Sequence, residues 1–405
     1  MKFWFKPALL FFPLVVLSGL LYFPARAAEN KDFAQWLAAF YPEAHEQGIS
    51  RETWETAFAG VVEPYPEVLS KANYQPEFTT EIWDYLDTRV NPLSVAKGEK
   101  MDRYYARTLA EVEKKFGVEK SVLLAIWSME SNFGAIFDKP DRLFYVPRAL
   151  ATLAYGDPKR QNFARTQLIA ALQILQAGDV KKEQLTGSWA GAMGHTQFIP
   201  TSYLAYGVDM DGNGSRDIWT SIPDALATAA NLLHKNGWRT GNTWGYEVVM
   251  PLSGEQFNEQ TKTLAAWQKL GFKRSGGRDY GSADQKAVLK LLAGSRGPAF
   301  LMMKNFFVLK RYNNSDFYAL AVGLLADRLA GAGGLVGPWP RPSGSLGIEE
   351  KIELQTKLQE KGFYVGEIDG IMGNGTKAAI RQFQIQTGMA EDGTPSHDLL
   401  QALRK

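Results

Sequence analysis

Glu130 is the residue best placed to do chemistry. In SVLLAIWSMESNFG, residues 121–134, Leu123, Ile126, Trp127 and Glu130 recur at i, i+3, i+4 and i+7, the spacing of one helix face. A carboxylate therefore sits on an otherwise apolar stripe. Gly134 is a natural stop just beyond, which puts Glu130 in the last helical turn. Burial and the negative helix end both disfavour ionisation there, so its pKa is expected to rise toward that of a general acid working at neutral pH. Spacing alone leaves an alternative open, a buried Glu paired with an Arg or Lys.

Three further segments carry polar groups in suggestive company. GSWAGAMGHTQFIPTSY, residues 187–203, alternates small with polar residues, so backbone could approach a flat ligand while Ser188 and Gln197 offer hydrogen bonds. Close packing by small residues explains the same pattern. His195 lies in this stretch, but the other histidines, His45, His234 and His397, are too scattered for metal-ligand spacing. Tyr312-Asn313-Asn314-Ser315 precedes an apolar helix over residues 317–329. Ser315 reads as an N-cap and the Asn pair as a turn, although Tyr312 and Asn313 could equally orient a sugar N-acetyl group. In the third segment, Asp209, Asp211, Asn213, Gly214, Ser215 and Asp217 occupy positions 1, 3, 5, 6, 7 and 9 of an EF-hand-like loop. Position 12 is Thr220 and not the bidentate Glu; Asp224 could supply the missing carboxylate, and a turn without metal accounts for the loop as well.

The elements that must position these groups are mainly helical. Residues 101–116, 121–131, 162–176 and 223–236 show apolar residues at helical spacing, bounded by Gly, Asp or Pro. Between residues 244 and 311 the pattern changes, and residues 246–250 and 299–303 read as strands around a short helical piece. A small β lobe set into a helical body, an α+β fold, is expected. Residues 330–347, AGAGGLVGPWPRPSGSLG, are dense in Gly, Pro and Ser and read as an interdomain linker. Beyond it, Leu354 and Leu358 open one short helix, Thr376 is expected to cap a second ending at Gly388, and Ser396 to cap a third. Residues 348–405 thus form a three-helix module too small for an independent enzyme site.

At the amino end Lys2 and Lys6 precede an apolar run and Pro24-Ala25-Arg26-Ala27-Ala28, the pattern of a secretory signal peptide over residues 1–27. The apolar run is shorter than the roughly 20 residues a spanning helix needs. The 405-residue chain has no cysteine, which excludes a lipid-attachment cysteine and disulfide chemistry, so a periplasmic, unanchored protein is expected. Removing three cations and no anion takes the net charge from +2 to −1, which argues against nucleic acid as partner. Its 11 Trp, 16 Tyr and 23 Phe are ample for stacking sugar rings, though most belong in a core.

With these pieces placed, residues 33–329 resemble the membrane-bound lytic murein transglycosylase B family in its soluble form, through AIWSMESNFG, AGAMGHTQFIPTSY, DMDGNGSRDIW and RYNNSDFYAL in that order. The last sixty residues resemble a peptidoglycan-binding domain, through LQEKGFYVGEIDGIMGNGTKAAIRQFQIQTG. The resemblance implies a lysozyme-like fold over residues 28–329. It implies cleavage of the β-1,4 bond between N-acetylmuramic acid and N-acetylglucosamine, leaving a 1,6-anhydromuramic end. Glu130 would protonate the leaving oxygen and then take the proton of the attacking C6 hydroxyl. Ser188 resembles the serine that hydrogen-bonds the catalytic Glu, and Gln197 the glutamine that contacts substrate. Tyr312, Asn313 and Tyr318 resemble residues that line the cleft. No cofactor is required, but Asp209, Asp211, Asn213, Ser215 and Asp224 match positions that bind calcium in a family member, with the stretch before Asp224 one residue longer here. Peptidoglycan strands are the implied partner, and other wall enzymes are candidate partners.

Two other functions are compatible with parts of this pattern. A lysozyme-like hydrolase of inverting type needs a second carboxylate roughly 6.5–9.5 Å from the acid. Asp138, Asp141 and Asp157 are the nearest in sequence after Glu130, and none lies in a recognised motif. A non-catalytic wall-binding scaffold is the other, and the intact Glu in its motif speaks against it.

Overall fold

The computed structural model describes residues 25–73 and 80–405; the expected leader falls outside these, apart from its last three residues. The helical body begins with α1 (Ala25–Glu46), α2 (Arg51–Phe58), α3 (Pro66–Asn73), α4 (Ile82–Asp87), α5 (Pro92–Tyr104) and α6 (Ala106–Phe116). It continues with α7 (Lys120–Ser131), the short strand β1 (Phe144–Tyr145), α8 (Val146–Gly156), α9 (Gln161–Ala177), the short strand β2 (Thr186–Gly187), α10 (Pro200–Tyr206) and α11 (Ile222–Lys235). Among the described residues no helix is long and apolar enough to cross a membrane.

The β lobe follows as β3 (Gly245–Val249), β4 (Thr261–Thr263), α12 (Leu264–Lys269), β5 (Lys273–Arg274), β6 (Lys286–Lys290), β7 (Leu292–Ser295) and β8 (Ala299–Met302). Five of these strands form an antiparallel sheet in the order β4-β6-β8-β3-β5, with Gly245 opposite Met302 and Val248 opposite Ala299. Val248, Leu264, Trp267, Phe272, Leu289 and Leu301 give the lobe its own small core. The chain then returns to the body through α13 (Lys304–Tyr312) and α14 (Asp316–Leu329).

α7 is the central helix. Leu123 and Ile126 are fully buried, each contributing about 1.5–3 kcal/mol of apolar burial, and Trp127 is 2 % exposed. α14 packs beside it with Ala319, Leu320, Ala321 and Val322 buried in the same core. Two expectations are corrected here. Residues 101–116 form two helices, because the backbone leaves helical geometry at Tyr105 (φ −105, ψ 24), where Tyr105 packs edge-on to Trp127. α7 stops at Asn132 and not at Gly134: Asn132 is already left-handed at φ +50, a conformation its short amide side chain tolerates.

Residues 330–347 carry no helix or strand but are tied down. Leu335 and Trp339 pack against the main core, and Val336 and Gly337 donate their N–H groups to Glu247 on β3. Arg341 donates to both oxygens of buried Asp87 at 2.9 and 2.6 Å. The terminal module consists of α15 (Ile348–Glu360), α16 (Asn374–Thr387) and α17 (His397–Arg404) around Leu354, Leu358, Ile380, Phe383, Leu399 and Leu403. Ser396 caps α17, and Gly388 ends α16 at φ +71, as expected. Thr376 does not cap α16. It lies inside the first turn, buried, where its hydroxyl accepts from Gln355 Nε2 at 3.2 Å.

Candidate active site

Glu130 sits half-buried in the last turn of α7, and Tyr318 on α14 donates its hydroxyl to Oε1 at 2.6 Å. Local sequence explains the geometry on both sides. Ser315 accepts from Tyr318 N, capping α14 and starting it at the register that turns Tyr318 inward, 4 % exposed. Burial pushes the Glu130 carboxyl from 4.5 up to about 7, against the Tyr318 hydrogen bond, which favours the ionised form. No Arg or Lys pairs with it among the described residues, so the ion-paired alternative is not what the structure contains.

Tyr312 stacks on Tyr318 with ring centroids 6.3 Å apart and donates to the backbone oxygen of buried Thr196 at 2.6 Å. Tyr85 on α4 lies near enough to feel the Glu130 charge: burial raises its phenol, Arg89 beside it opposes the rise, and Glu130 adds to it. Nothing in the IWDYLD stretch marks Tyr85 for this neighbourhood, since the two segments are far apart in sequence.

Beyond Glu130 the chain makes an unusual turn. Asn132, Phe133 and Gly134 all have positive φ, at +50, +56 and +85. Consecutive left-handed residues are strained unless their surroundings hold them. Lys97 Nζ donates to Asn132 O at 2.8 Å, while Ser131 Oγ donates to His195 O at 2.6 Å and accepts from Gly134 N at 3.0 Å. The Ser131 bond ties the end of α7 to residues 187–203, and the Lys97 bond ties it to α5. His195 itself accepts from Trp127 Nε1 at its Nδ1, 3.2 Å away. Burial lowers its pKa to about 4, so at neutral pH it is an uncharged ring with its proton on Nε2. Its ring borders an open cavity of about 490 Å3 together with Phe133, Phe137, Trp219 and Thr220.

The small residues of 187–203 serve close packing. A Cβ on Gly187 would stand 2.3 Å from Ala192 O, and one on Gly194, at φ +70, 2.5 Å from Ile218 O. Ser188 is not bonded to Glu130: its hydroxyl accepts from Ala190 N at 3.3 Å and Ala192 N at 3.0 Å, closing the turn it belongs to. Gln197 is left-handed at φ +49 and donates from Nε2 to Gly194 O at 2.9 Å. Asn313 is exposed just past α13, between the two tyrosines of the site in sequence. The structure thus brings Glu130, Tyr312 and Tyr318 together directly and makes Ser188 and Gln197 part of the adjoining loop. Of the candidate second carboxylates, Asp157 is buried against Arg160 at 2.5 Å, and Asp138 and Asp141 are exposed.

In the acidic loop, Asp209, Asp211 and Asp224 offer carboxylate oxygens within 4.8 Å of one another. Asp224, fully buried, accepts from the N–H groups of Met210, Asp211 and Asp217, and burial raises its pKa. Asn213 and Ser215 are turned elsewhere: Asn213 Oδ1 accepts from Ser215 N, and Ser215 Oγ donates to Asp179 O. Of the five residues expected from resemblance, the three carboxylates are thus brought together, while Asn213 and Ser215 each spend a side-chain oxygen on a hydrogen bond within the described residues. Three close oxygens on hard donors fit a hard divalent cation, which would offset their mutual repulsion.

Residues 32–327 match the family described as Transglycosylase SLT domain, and residues 349–403 match Putative peptidoglycan binding domain. The membrane-bound lytic murein transglycosylase B of Escherichia coli strain K12 is 28 % identical over 242 residues, 60 % of this chain and 65 % of that protein, so the match spans less than two thirds of that relative. Among solved structures, SltB3 from Pseudomonas aeruginosa in complex with NAG-anhNAM-pentapeptide is 45 % identical, with a TM-score of 0.73 over 92 % of this chain and 99 % of that one. SltB1 from the same organism is 28 % identical, with a TM-score of 0.64 over 73 % and 100 % of the two chains. The expected lysozyme-like α+β fold agrees with these neighbours. The chain belongs to the Transglycosylase SLT domain family.

Proposed function

We propose that this protein cleaves peptidoglycan glycan strands as a lytic transglycosylase, with Glu130 as the single acid and base. The observation that carries the reading is a half-buried carboxyl held near pKa 7 by burial, with one tyrosine hydroxyl as its partner. Such a group donates a proton and recovers one at the same pH. Glu130 gives its proton to the glycosidic oxygen as the C1–O bond breaks. The resulting carboxylate then accepts the proton of the C6 hydroxyl as that oxygen bonds to C1, so the acid is regenerated and no water is consumed. Tyr318 holds the carboxylate between the two steps.

The family supports this substrate class, and the SltB3 complex carries a disaccharide with a pentapeptide. A hydrolase would need a second carboxylate poised to activate water; Asp157 is taken by Arg160, and the exposed Asp138 and Asp141 have no hydrogen-bond partner among the described residues that would aim them. Digestion of purified peptidoglycan in 18O-labelled water separates the two reactions. Products free of label and lighter by one water support transglycosylation, and label at new reducing ends contradicts it.

Location in the periplasm is part of the same proposal, supported by the leader-like amino end and the wall-directed family. So is a structural calcium held by Asp209, Asp211 and Asp224, which would brace the loop ending at Ile218, whose carbonyl accepts from His195 N. Calcium should raise the melting temperature of chelator-treated protein but not of an Asp224→Asn variant; equal melting with calcium and with chelator would remove the metal from the account.

A further inference from the structure

At the far end of α14 from Tyr318 lies a second cavity, of about 480 Å3, enclosed by α4, β3, α14 and the tethered segment 332–339. Its acids are mostly engaged. Asp87 is held by Arg341 and, at 3.0 Å, by Lys351, while Glu247 accepts the backbone N–H groups of Val336 and Gly337 at 2.9 and 2.6 Å. Asp327 accepts from Trp244 Nε1 at 3.0 Å through Oδ2, leaving Oδ1 without a partner among the described residues.

The cations are less well satisfied. Arg328 is half-buried on the cavity wall, and its guanidinium has no hydrogen bond or ion pair among the described residues. Arg278 on the opposite rim is exposed, and half-buried Arg274 spends one N–H on Asp279 O while lying 4.7 Å from the centre of the Tyr246 ring. A half-buried guanidinium without an anion carries a desolvation cost that a bound carboxylate would offset, and its planar fork suits two-point contact with one. Leu324, Leu335 and Phe300 supply apolar wall suited to short aliphatic side chains, and the free Asp327 oxygen can accept a peptide N–H.

We propose that this cavity binds the free carboxylate end of the peptide carried by the muramic residue at the cut site. Reach supports this. Arg328 stands ten residues beyond Tyr318 on α14, about 15 Å along the axis at 1.5 Å per residue and about 80° around it. An extended five-residue peptide spans up to about 17 Å, enough to run from the sugar beside Glu130 to Arg328. The inference rests on the proposed strand-cutting function, because it takes its ligand from that substrate.

The test is calorimetric titration of the full chain with an N-acetylated pentapeptide of wall-stem sequence, as free acid and as C-terminal amide. The acid should bind saturably and at least about tenfold more tightly than the amide, as one charge-assisted pair allows. Arg328→Ala, with melting unchanged, should bring the acid down to the affinity of the amide. Equal binding of the two forms, or an undiminished preference in Arg328→Ala, overturns the assignment. Strand digestion runs alongside. Cleavage without peptide binding overturns this inference alone, whereas peptide binding without cleavage supports the pocket and overturns the cutting reaction.

Discussion

Replacing Tyr318 by Phe removes one oxygen atom, and that oxygen makes the 2.6 Å hydrogen bond to Glu130 Oε1. The ring remains to fill the buried site against Tyr312, so the perturbation is confined to the bond. A hydrogen bond to an ionised group contributes about 1.5–3 kcal/mol, and one pKa unit corresponds to about 1.4 kcal/mol. Because the bond favours the ionised carboxylate while burial opposes it, its loss should raise the Glu130 pKa from about 7 by roughly one to two units. The acid form then persists to higher pH. Initial rates of anhydro-product release across a pH series should show the alkaline limb displaced upward by that amount, with a lower maximum because the carboxylate is less well held for its second step. An alkaline limb that stays in place, or moves down, would refute the assignment of that limb to Glu130 and of Tyr318 as its partner.

Other perturbations follow from the same geometry. Since folding raises the Glu130 pKa above 4.5, the stability this group contributes is full below about pH 4.5 and is lost as pH rises through about 7. Glu130→Gln should therefore melt higher than the wild type at pH 8, by on the order of 1–3 kcal/mol, and lose that advantage at pH 4. Gly134→Ala forces a Cβ to within 2.5 Å of the His195 ring at φ +85; a cost of about 1–3 kcal/mol in denaturant melts, with reduced strand cleavage, is expected. Arg341→Ala leaves Asp87 with Lys351 alone, so limited proteolysis should cut within residues 330–347 faster while the two flanking units stay intact.

Much of this fold is written in local pattern. The apolar stripe of α7, the Ser315 cap that sets Tyr318, and the existence of strands near residues 245–249 and 299–302 all follow from short-range spacing and chemistry. What escaped is non-local. Tyr85 comes within range of the Glu130 charge from a helix with no motif, and the Arg341–Asp87 pair joins residues 254 apart, so composition alone reads residues 330–347 as a plain linker. Ser188 shows the opposite failure: its motif position suggests a bond to Glu130, but two backbone N–H groups in its own turn compete for the hydroxyl oxygen. The strained turn at residues 132–134 was legible only in part, since Gly134 announces a left-handed position whereas Phe133 does not.

In the proposed reaction one carboxyl, Glu130, performs both proton transfers. Its most direct test is the mass of muropeptides released from purified peptidoglycan by the wild type and by Glu130→Gln, with both proteins shown to be folded by melting. Anhydro products from the wild type and none from the variant are the predicted result. Anhydro products persisting in Glu130→Gln would contradict the account, because the proton would then have to come from a group other than Glu130.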